Sequence, residues 1–273
     1  MKELSQIAST VRASTTLAID AMFKQMKADG IDVIGFGAGE PDFHTPDNIK
    51  EAGYAAIRDN FTCYTPTAGI PELRKAACIR LKEDCGLDYV PAQIVMASGA
   101  KHALYGALHA LVDPGDEVII PAPFWVTYFE MVRMLGAVPV IITAEESAGF
   151  KITPEQLAAA VTPKTKAILL NNPSNPTGMV YSREELRALA DVCVEKDIYI
   201  VADEIYYRLV YDGRTFTSIA ALGADVKERT IIINGVSKSY AMTGWRVGYA
   251  AAPEHIAKVM SNYLSHSTGA PCS

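Results

Sequence analysis

The hydrophobic positions of this chain change period as it runs. Between residues 14 and 27, Ile19, Met22, Phe23 and Met26 recur at helical spacing, with Asp20, Lys24 and Lys27 off that stripe. The pattern predicts an amphipathic helix. Residues 31–36 read as a short strand entering the turn Gly35-Phe36-Gly37-Ala38-Gly39-Glu40-Pro41, where glycines mark tight backbone or close approach to a ligand. Further helices are predicted from Pro46-Asp47-Asn48 to about residue 58, and from Pro71 to near Cys85-Gly86, proline suiting a first helical turn. From Gln93 onward, short apolar runs alternate with amphipathic segments. Strands are expected at 94–97, 117–121, 138–143, 167–171, 199–202 and 230–233, with a returning strand at 248–252. Helices are expected at 100–111, 125–135, from 154, at 183–196 and from 253. Ser182 with Glu185 forms a capping-box signature ahead of one of them. The alternation predicts an α/β fold of three α/β/α layers around a mostly parallel sheet, covered on both faces.

Composition narrows the functions open to such a fold. At 273 residues the chain is long enough for one large domain, or one domain plus part of another. A net charge of -6 argues against nucleic acid or an anionic membrane as partner. The five cysteines are scattered without metal or redox spacing, as expected for reduced thiols in a cytoplasmic protein. The N-terminus has no basic region followed by an apolar run, so no signal peptide is expected. No apolar run is long enough to span a bilayer. The five histidines lack ligand spacing, so no metal is expected.

Chemistry gathers at strand ends. The run Thr230-Ile231-Ile232-Ile233 leads into Ser237-Lys238-Ser239-Tyr240-Ala241-Met242-Thr243-Gly244-Trp245-Arg246. A lysine just past a strand end, with a fixed cation nearby, suits a Schiff base to a phosphorylated aldehyde; an isolated lysine there would be an ordinary surface residue. The glycine-rich turn is no dinucleotide fingerprint, because Glu40 stands where the last glycine should be. Ser98-Gly99-Ala100-Lys101 matches S-x-x-K, but its partner motifs are missing. A strand–turn–helix whose first N–H groups bind phosphate accounts for it better. Ser98, Asn175, Asp203 and Lys238 each have a local explanation as turn or cap residues. Together they suit one ligand carrying a phosphate, a phenolic oxygen, a ring nitrogen and an aldehyde.

With these residues in view, the chain resembles the fold-type I, class I/II aminotransferases that use pyridoxal 5′-phosphate (PLP), and is similar to bacterial aspartate aminotransferases. The resemblance rests on Gly39-Glu40-Pro41-Asp42-Phe43, the stretch from Tyr64 to Arg74, Asp113-Pro114-Gly115-Asp116, Pro123-Phe124-Trp125, Asn175-Pro176-Thr177-Gly178, Asp203-Glu204-Ile205-Tyr206 and the lysine stretch. It implies that Lys238 holds the cofactor and moves a proton, and that Asp203 pairs with the pyridinium nitrogen. Asn175 and Tyr206 would bond the phenolic oxygen, and Lys238, Asp203 and Tyr206 would form the catalytic set. Trp125 would stack on the ring. Arg246, Ser237 and the N–H groups of Ala100 and Lys101 would hold the phosphate. Tyr64 would reach the phosphate of a neighbouring subunit, which implies a homodimer with shared sites. Gly39 would lie against the substrate carboxylate, and Trp125 and Asn175 would also line the substrate site. Lys101 would read a side-chain carboxylate, making aspartate or glutamate with 2-oxo acids the expected substrates. The resemblance also implies cis peptides at Ala122-Pro123 and Asn175-Pro176.

This sequence departs from the pattern in two respects. Gly235 stands where many members carry a serine three residues before the lysine. The family's small domain and its α-carboxylate arginine follow later in the chain than Ser273, and Arg246 is not that arginine. The expected organisation is therefore an N-terminal arm and part of a small domain over 1–45, a PLP-binding large domain over 46–273, and an absent C-terminal small domain. Rival expectations are another fold-type I PLP chemistry, a carbon–sulfur lyase or cyclase, and a non-catalytic PLP-binding module.

Overall fold

The computed structural model describes residues 2–37 and 39–273. Ala38, within the glycine-rich turn, lies outside the described residues. A short helix α1 (Gln6–Thr10), unforeseen in the sequence pattern, precedes α2 (Thr15–Ala28), α3 (Asp47–Arg58) and α4 (Pro71–Cys85). Pro71 opens α4, and Gly86 closes it in the left-handed conformation, which glycine adopts without a Cβ clash. Residues 31–36 form no strand. They pair with no neighbouring strand among the described residues, and Ile34 and Phe36 stay exposed. Gly35 within this stretch and Gly37 just after it have a packing role. A Cβ on Gly35 would sit 2.5 Å from the Phe23 ring, and one on Gly37 would sit 2.8 Å from Ile19. These glycines receive the apolar stripe of α2.

The remaining elements follow the predicted alternation: β1 (Ile94–Ala97), α5 (Ala100–Leu111), β2 (Glu117–Ala122), α6 (Thr127–Met134), β3 (Val138–Thr143), α7 (Pro154–Ala160), β4 (Thr165–Asn171), α8 (Arg183–Glu195), β5 (Tyr199–Asp203), α9 (Ala224–Lys227), β6 (Thr230–Gly235), β7 (Gly248–Ala251) and α10 (Glu254–Ser265). The seven strands form one sheet in the order β1-β7-β6-β5-β4-β2-β3. The β2–β3, β2–β4, β4–β5 and β5–β6 pairs are parallel, while β7 runs antiparallel to β1 and β6. Both faces are covered. Ala167, Leu169, Val201, Ile231 and Ile233 point into one core with α5, α6 and α10. The alternate residues Ile168, Leu170, Ile200 and Ala202 point into a second with α7 and α8, and Ile232 joins a third beneath α4. This explains why the strands read as continuous apolar runs.

Ala122-Pro123 and Asn175-Pro176 are cis, as is Asn172-Pro173, which the sequence pattern did not single out. Register sets the functional end of the sheet. Asn171 on β4 lies opposite Asp203 on β5, and Asp203 lies opposite Ile233 on β6. The polar residues that end these parallel strands therefore emerge together at the C-terminal end of the sheet.

Candidate active site

A cavity of about 320 Å³ opens at the C-terminal ends of β4, β5 and β6, against the N-terminus of α5. Asp203, the last residue of β5, lines it and is only 4 % exposed. Its Oδ2 accepts from the Tyr128 hydroxyl at 2.7 Å and its Oδ1 from the Ile205 N–H at 3.2 Å. Burial pushes the carboxyl above its ordinary range, and the Tyr128 and Ile205 bonds and the Lys238 charge oppose that. Among the described residues no basic side chain is ion-paired to it. It is a buried acid whose charge lacks a cationic partner.

Lys238 lies past the end of β6 and donates from Nζ to the Gly39 carbonyl. Burial holds its ammonium below the ordinary lysine range; Glu40 opposes that shift, Arg246 adds to it and Asp203 opposes it. The Tyr206 ring stands beside Nζ, with its centroid at 5.6 Å. Asn175 donates from Nδ2 to the Tyr206 hydroxyl at 3.3 Å. Burial raises the Tyr206 phenol, Asp203 adds to this, and the Asn175 bond opposes it.

The other wall is built for an anion. The N-cap of α5, Gly99, has no side-chain cap, so the first N–H groups of the helix face the cavity without a side-chain acceptor. Gly99 has φ +88°, and a Cβ there would lie 2.2 Å from Nη2 of Arg246; the missing side chain lets the guanidinium lie against the helix start. The same logic applies to Gly248 on β7, where a Cβ would meet the Ala100 nitrogen at 2.3 Å. Arg246 donates to the carbonyls of Thr243 at 2.9 Å and Ser98 at 3.4 Å. Ser237 is buried in this wall. Gly235 is a steric requirement here. It pairs in register with Gly248, and a Cβ would sit 2.9 Å from the Gly248 Cα and the Val247 carbonyl. A serine would not fit at that position.

Trp125 and Lys101 complete the rim. Nζ of Lys101 rides 4.7 Å above the Trp125 ring centroid, a cation–π contact. Burial and then Arg246 hold the lysine below its ordinary range. A larger, mostly apolar cavity of about 630 Å³ adjoins the first and shares Lys101 and Arg246 with it, but Asp203 and Lys238 do not line it.

The structure thus brings together Gly39, Ala100, Lys101, Trp125, Asn175, Asp203, Tyr206, Ser237, Lys238 and Arg246. Tyr64 does not join them: it is fully exposed and does not line the cavity. Sequence reasoning missed Tyr128, the donor to Asp203, and Asn171. Buried Asn171 accepts from the Asn175 N–H at 2.7 Å and donates to the Asp203 carbonyl at 2.9 Å, tying the ends of two strands together. A polar residue closing the apolar run of β4 was the available signal for Asn171. Nothing local marked Tyr128.

The sequence pattern of the family described as aminotransferase class I and II matches residues 31–272. Aspartate aminotransferase of Geobacillus stearothermophilus is 52% identical over 273 residues, covering 100% of this chain and 69% of that protein. Aspartate/prephenate aminotransferase of Cereibacter sphaeroides is 48% identical, covering 100% of this chain and 68% of its own length. The solved structure of Thermus thermophilus aspartate aminotransferase with maleate superposes with a TM-score of 0.96 at 43% identity, over 100% of this chain and 70% of that one. A lysine, a buried aspartate and an uncapped helix start beside an arginine at the C-terminal end of the central strands, together with these matches, show that the chain belongs to the class I and II aminotransferases.

Proposed function

We propose that this aminotransferase holds PLP in the 320 Å³ cavity and moves an amino group between aspartate or glutamate and a 2-oxo acid. When bound, PLP supplies an electron sink for the substrate carbon that loses its proton. The observation carrying the proposal is the convergence of the Lys238 amine, the buried carboxyl of Asp203, which has no ion-pair partner among the described residues, and the uncapped start of α5 beside Arg246 on one cavity. These groups fit the cofactor's aldehyde, ring nitrogen and phosphate.

Each residue then has a task. Lys238, whose ammonium burial holds below the ordinary lysine range, would hold the aldehyde carbon and afterwards move the proton at the substrate Cα. Asp203 keeps a ring nitrogen protonated. Asn175 and Tyr206, already bonded to each other, orient on the phenolic oxygen. Arg246, Ser237 and the Ala100 and Lys101 N–H groups hold the phosphate, and Trp125 covers the ring. Gly39 meets the substrate carboxylate. Lys101 selects acidic side chains, in keeping with the names of the relatives.

The full exposure of Tyr64 supports its reaching the cavity of a second copy in a homodimer. We divide the chain into an arm with part of a second unit over 1–45 and a cofactor-binding domain over 46–273. No described helix is long and apolar enough to cross a membrane, and no described His, Cys, Asp or Glu cluster could hold a metal. A cytoplasmic location fits the free cysteines.

The test loads the protein with PLP and adds aspartate without an oxo-acid acceptor. Release of one equivalent of oxaloacetate per cofactor, followed by turnover once 2-oxoglutarate is added, is the expected result. Release of alanine with carbon dioxide, release of fumarate with ammonia, or no reaction by aspartate alongside reaction by neutral amino acids, would overturn the reading.

A further inference from the structure

The backbone that carries Lys238 and Arg246 is an irregular segment between β6 and β7, and it contains two non-glycine residues in the left-handed region: Ala241 at φ +50° and Arg246 at φ +56°. That conformation is disfavoured for a residue with a Cβ and persists only where the surroundings hold it. The segment has backbone bonds of its own, such as Met242 N–H to the Ser237 carbonyl at 3.1 Å, but the one at Ala241, from its N–H to the Lys238 carbonyl, is long at 3.5 Å.

An outside group holds it. The Thr45 hydroxyl donates to the Ala241 carbonyl at 2.6 Å and accepts from the Trp245 indole N–H at 3.2 Å. One oxygen therefore bridges the segment at the residue in the left-handed region that follows Lys238 and at the residue just before Arg246. Thr45 stands at the entrance to α3, and that helix carries a matching feature. Gly53 lies in the middle of α3, where glycine lowers helix stability. A Cβ at Gly53 would sit 2.9 Å from Cη2 and 3.1 Å from Cζ3 of Trp245. The bare backbone of α3 therefore receives the indole whose N–H reaches Thr45.

We propose that Thr45 is a positioning residue: by bridging Ala241 and Trp245, with Gly53 seating the indole, it fixes the spacing between Lys238 and Arg246 and so matches the amine to the anion site. This rests on the PLP reading for its consequence but not for its geometry. Bridging Ala241 and Trp245, which lie between Lys238 and Arg246 in sequence, lets one hydroxyl constrain two functional side chains that it does not touch.

The test compares Thr45→Val, which keeps the shape and removes the hydroxyl, with Thr45→Ser, which keeps the hydroxyl, and adds Gly53→Ala. Two quantities are read: amide hydrogen exchange across residues 236–247 in the cofactor-free protein, and the dissociation constant for PLP. In Thr45→Val, exchange in that segment is expected to quicken by about tenfold while the β4 and β5 amides stay unchanged, and PLP binding to weaken by about tenfold, in line with loss of a hydrogen-bonded bridge. Thr45→Ser should restore both, and Gly53→Ala should reproduce the Thr45→Val exchange pattern by displacing the indole. Unchanged exchange or unchanged PLP affinity in Thr45→Val would overturn the proposal, as would Thr45→Ser being as impaired as Thr45→Val. If Thr45→Val does not fold, Gly53→Ala with normal exchange and affinity has the same force. Should the unmodified protein fail to bind PLP at all, the function proposed above falls, and the exchange data alone decide the role of Thr45.

Discussion

The Tyr128 hydroxyl donates to Oδ2 of Asp203 at 2.7 Å across 75 residues of sequence, with both side chains buried. Tyr128 lies in the first turn of α6 and Asp203 ends β5, so packing of α6 on the sheet is what aims the carboxylate. Tyr128→Phe keeps the ring and leaves one oxygen of a buried carboxyl without a donor. Urea unfolding is expected to show a loss of about 1–3 kcal/mol. Because the Tyr128 bond holds the Asp203 pKa down, its removal should raise that pKa and move the acid limb of PLP binding to higher pH. An unchanged acid limb would mean that Tyr128 does not tune Asp203.

Lys238 is the amine expected to capture the aldehyde. Its ammonium is held below the 10.5 of an ordinary lysine, by burial first. A lowered lysine pKa leaves the reactive neutral amine available at lower pH. Labelling by PLP and borohydride should therefore rise with pH and level off below 10.5, with the label mapping to Lys238. Lys238→Ala should lose the label yet bind PLP reversibly through the phosphate contacts.

Gly99→Ala separates the anion site from the rest of the cavity. The substitution puts a Cβ against the Arg246 guanidinium at a φ of +88°, which displaces the cation. PLP affinity is expected to drop by about a hundredfold, the loss of roughly 2–3 kcal/mol in charge-assisted bonds, while affinity for pyridoxal, which has no phosphate, stays nearly constant. Equal losses for the two ligands would show a general collapse of the site.

Glu204 neighbours Asp203 in sequence but points to the opposite face of the sheet. Its Oε1 accepts from the Ser218 hydroxyl at 2.8 Å and the Ile219 N–H at 3.3 Å, while its buried Oε2 has no partner. Burial pushes it up from 4.5 to about 8, with Asp203 adding to the shift. The nearby groups on α4, on the chain before β1 and on β7, Cys85, Tyr89 and Tyr249, are raised too, so they stay neutral across this range. Between pH 4.5 and about 8 the folded protein then holds a proton that the unfolded chain has released. Its stabilising effect is complete below the unfolded pKa and is lost as pH rises through about 8, with a slope of at most about 1.4 kcal/mol per pH unit. Glu204→Gln should flatten that slope in denaturation measured from pH 5 to 9. A slope that survives the substitution would assign the effect to another group.

Lys101→Ala tests the choice of substrate. The lysine rides on Trp125 at the cavity rim. KM for aspartate is expected to rise about tenfold or more, while that for an aromatic amino acid changes little. Parallel changes in both would remove Lys101 from substrate selection.

Much of this was legible along the chain. The strands from β1 onward were visible as apolar runs because a parallel sheet with helices on both faces buries most residues of its inner strands. Lys238, Asp203 and Asn175 could be singled out because each ends or follows such a run. The expected strand at 31–36 failed for the complementary reason. Its residues have the right local preference, but no neighbouring strand supplies the hydrogen bonds, and α2 packs into its glycines instead. Strand propensity reports fitness for a pleated surface, and it cannot say whether a partner exists.

By itself the sequence determined the alternation of strands and helices, the polar residues at strand ends and the glycines at turns, since these follow from local period and backbone sterics. Only the tertiary structure decided which residues meet. Tyr128 on Asp203, Thr45 on Ala241 and Trp245, and Gly235 against Gly248 all join positions far apart or on different strands. Their contacts exist because parallel register and helix docking superpose distant segments at one end of the sheet. Nothing in the spacing of residues along the chain encodes that superposition, which depends on the packing of the whole sheet between its two helical layers.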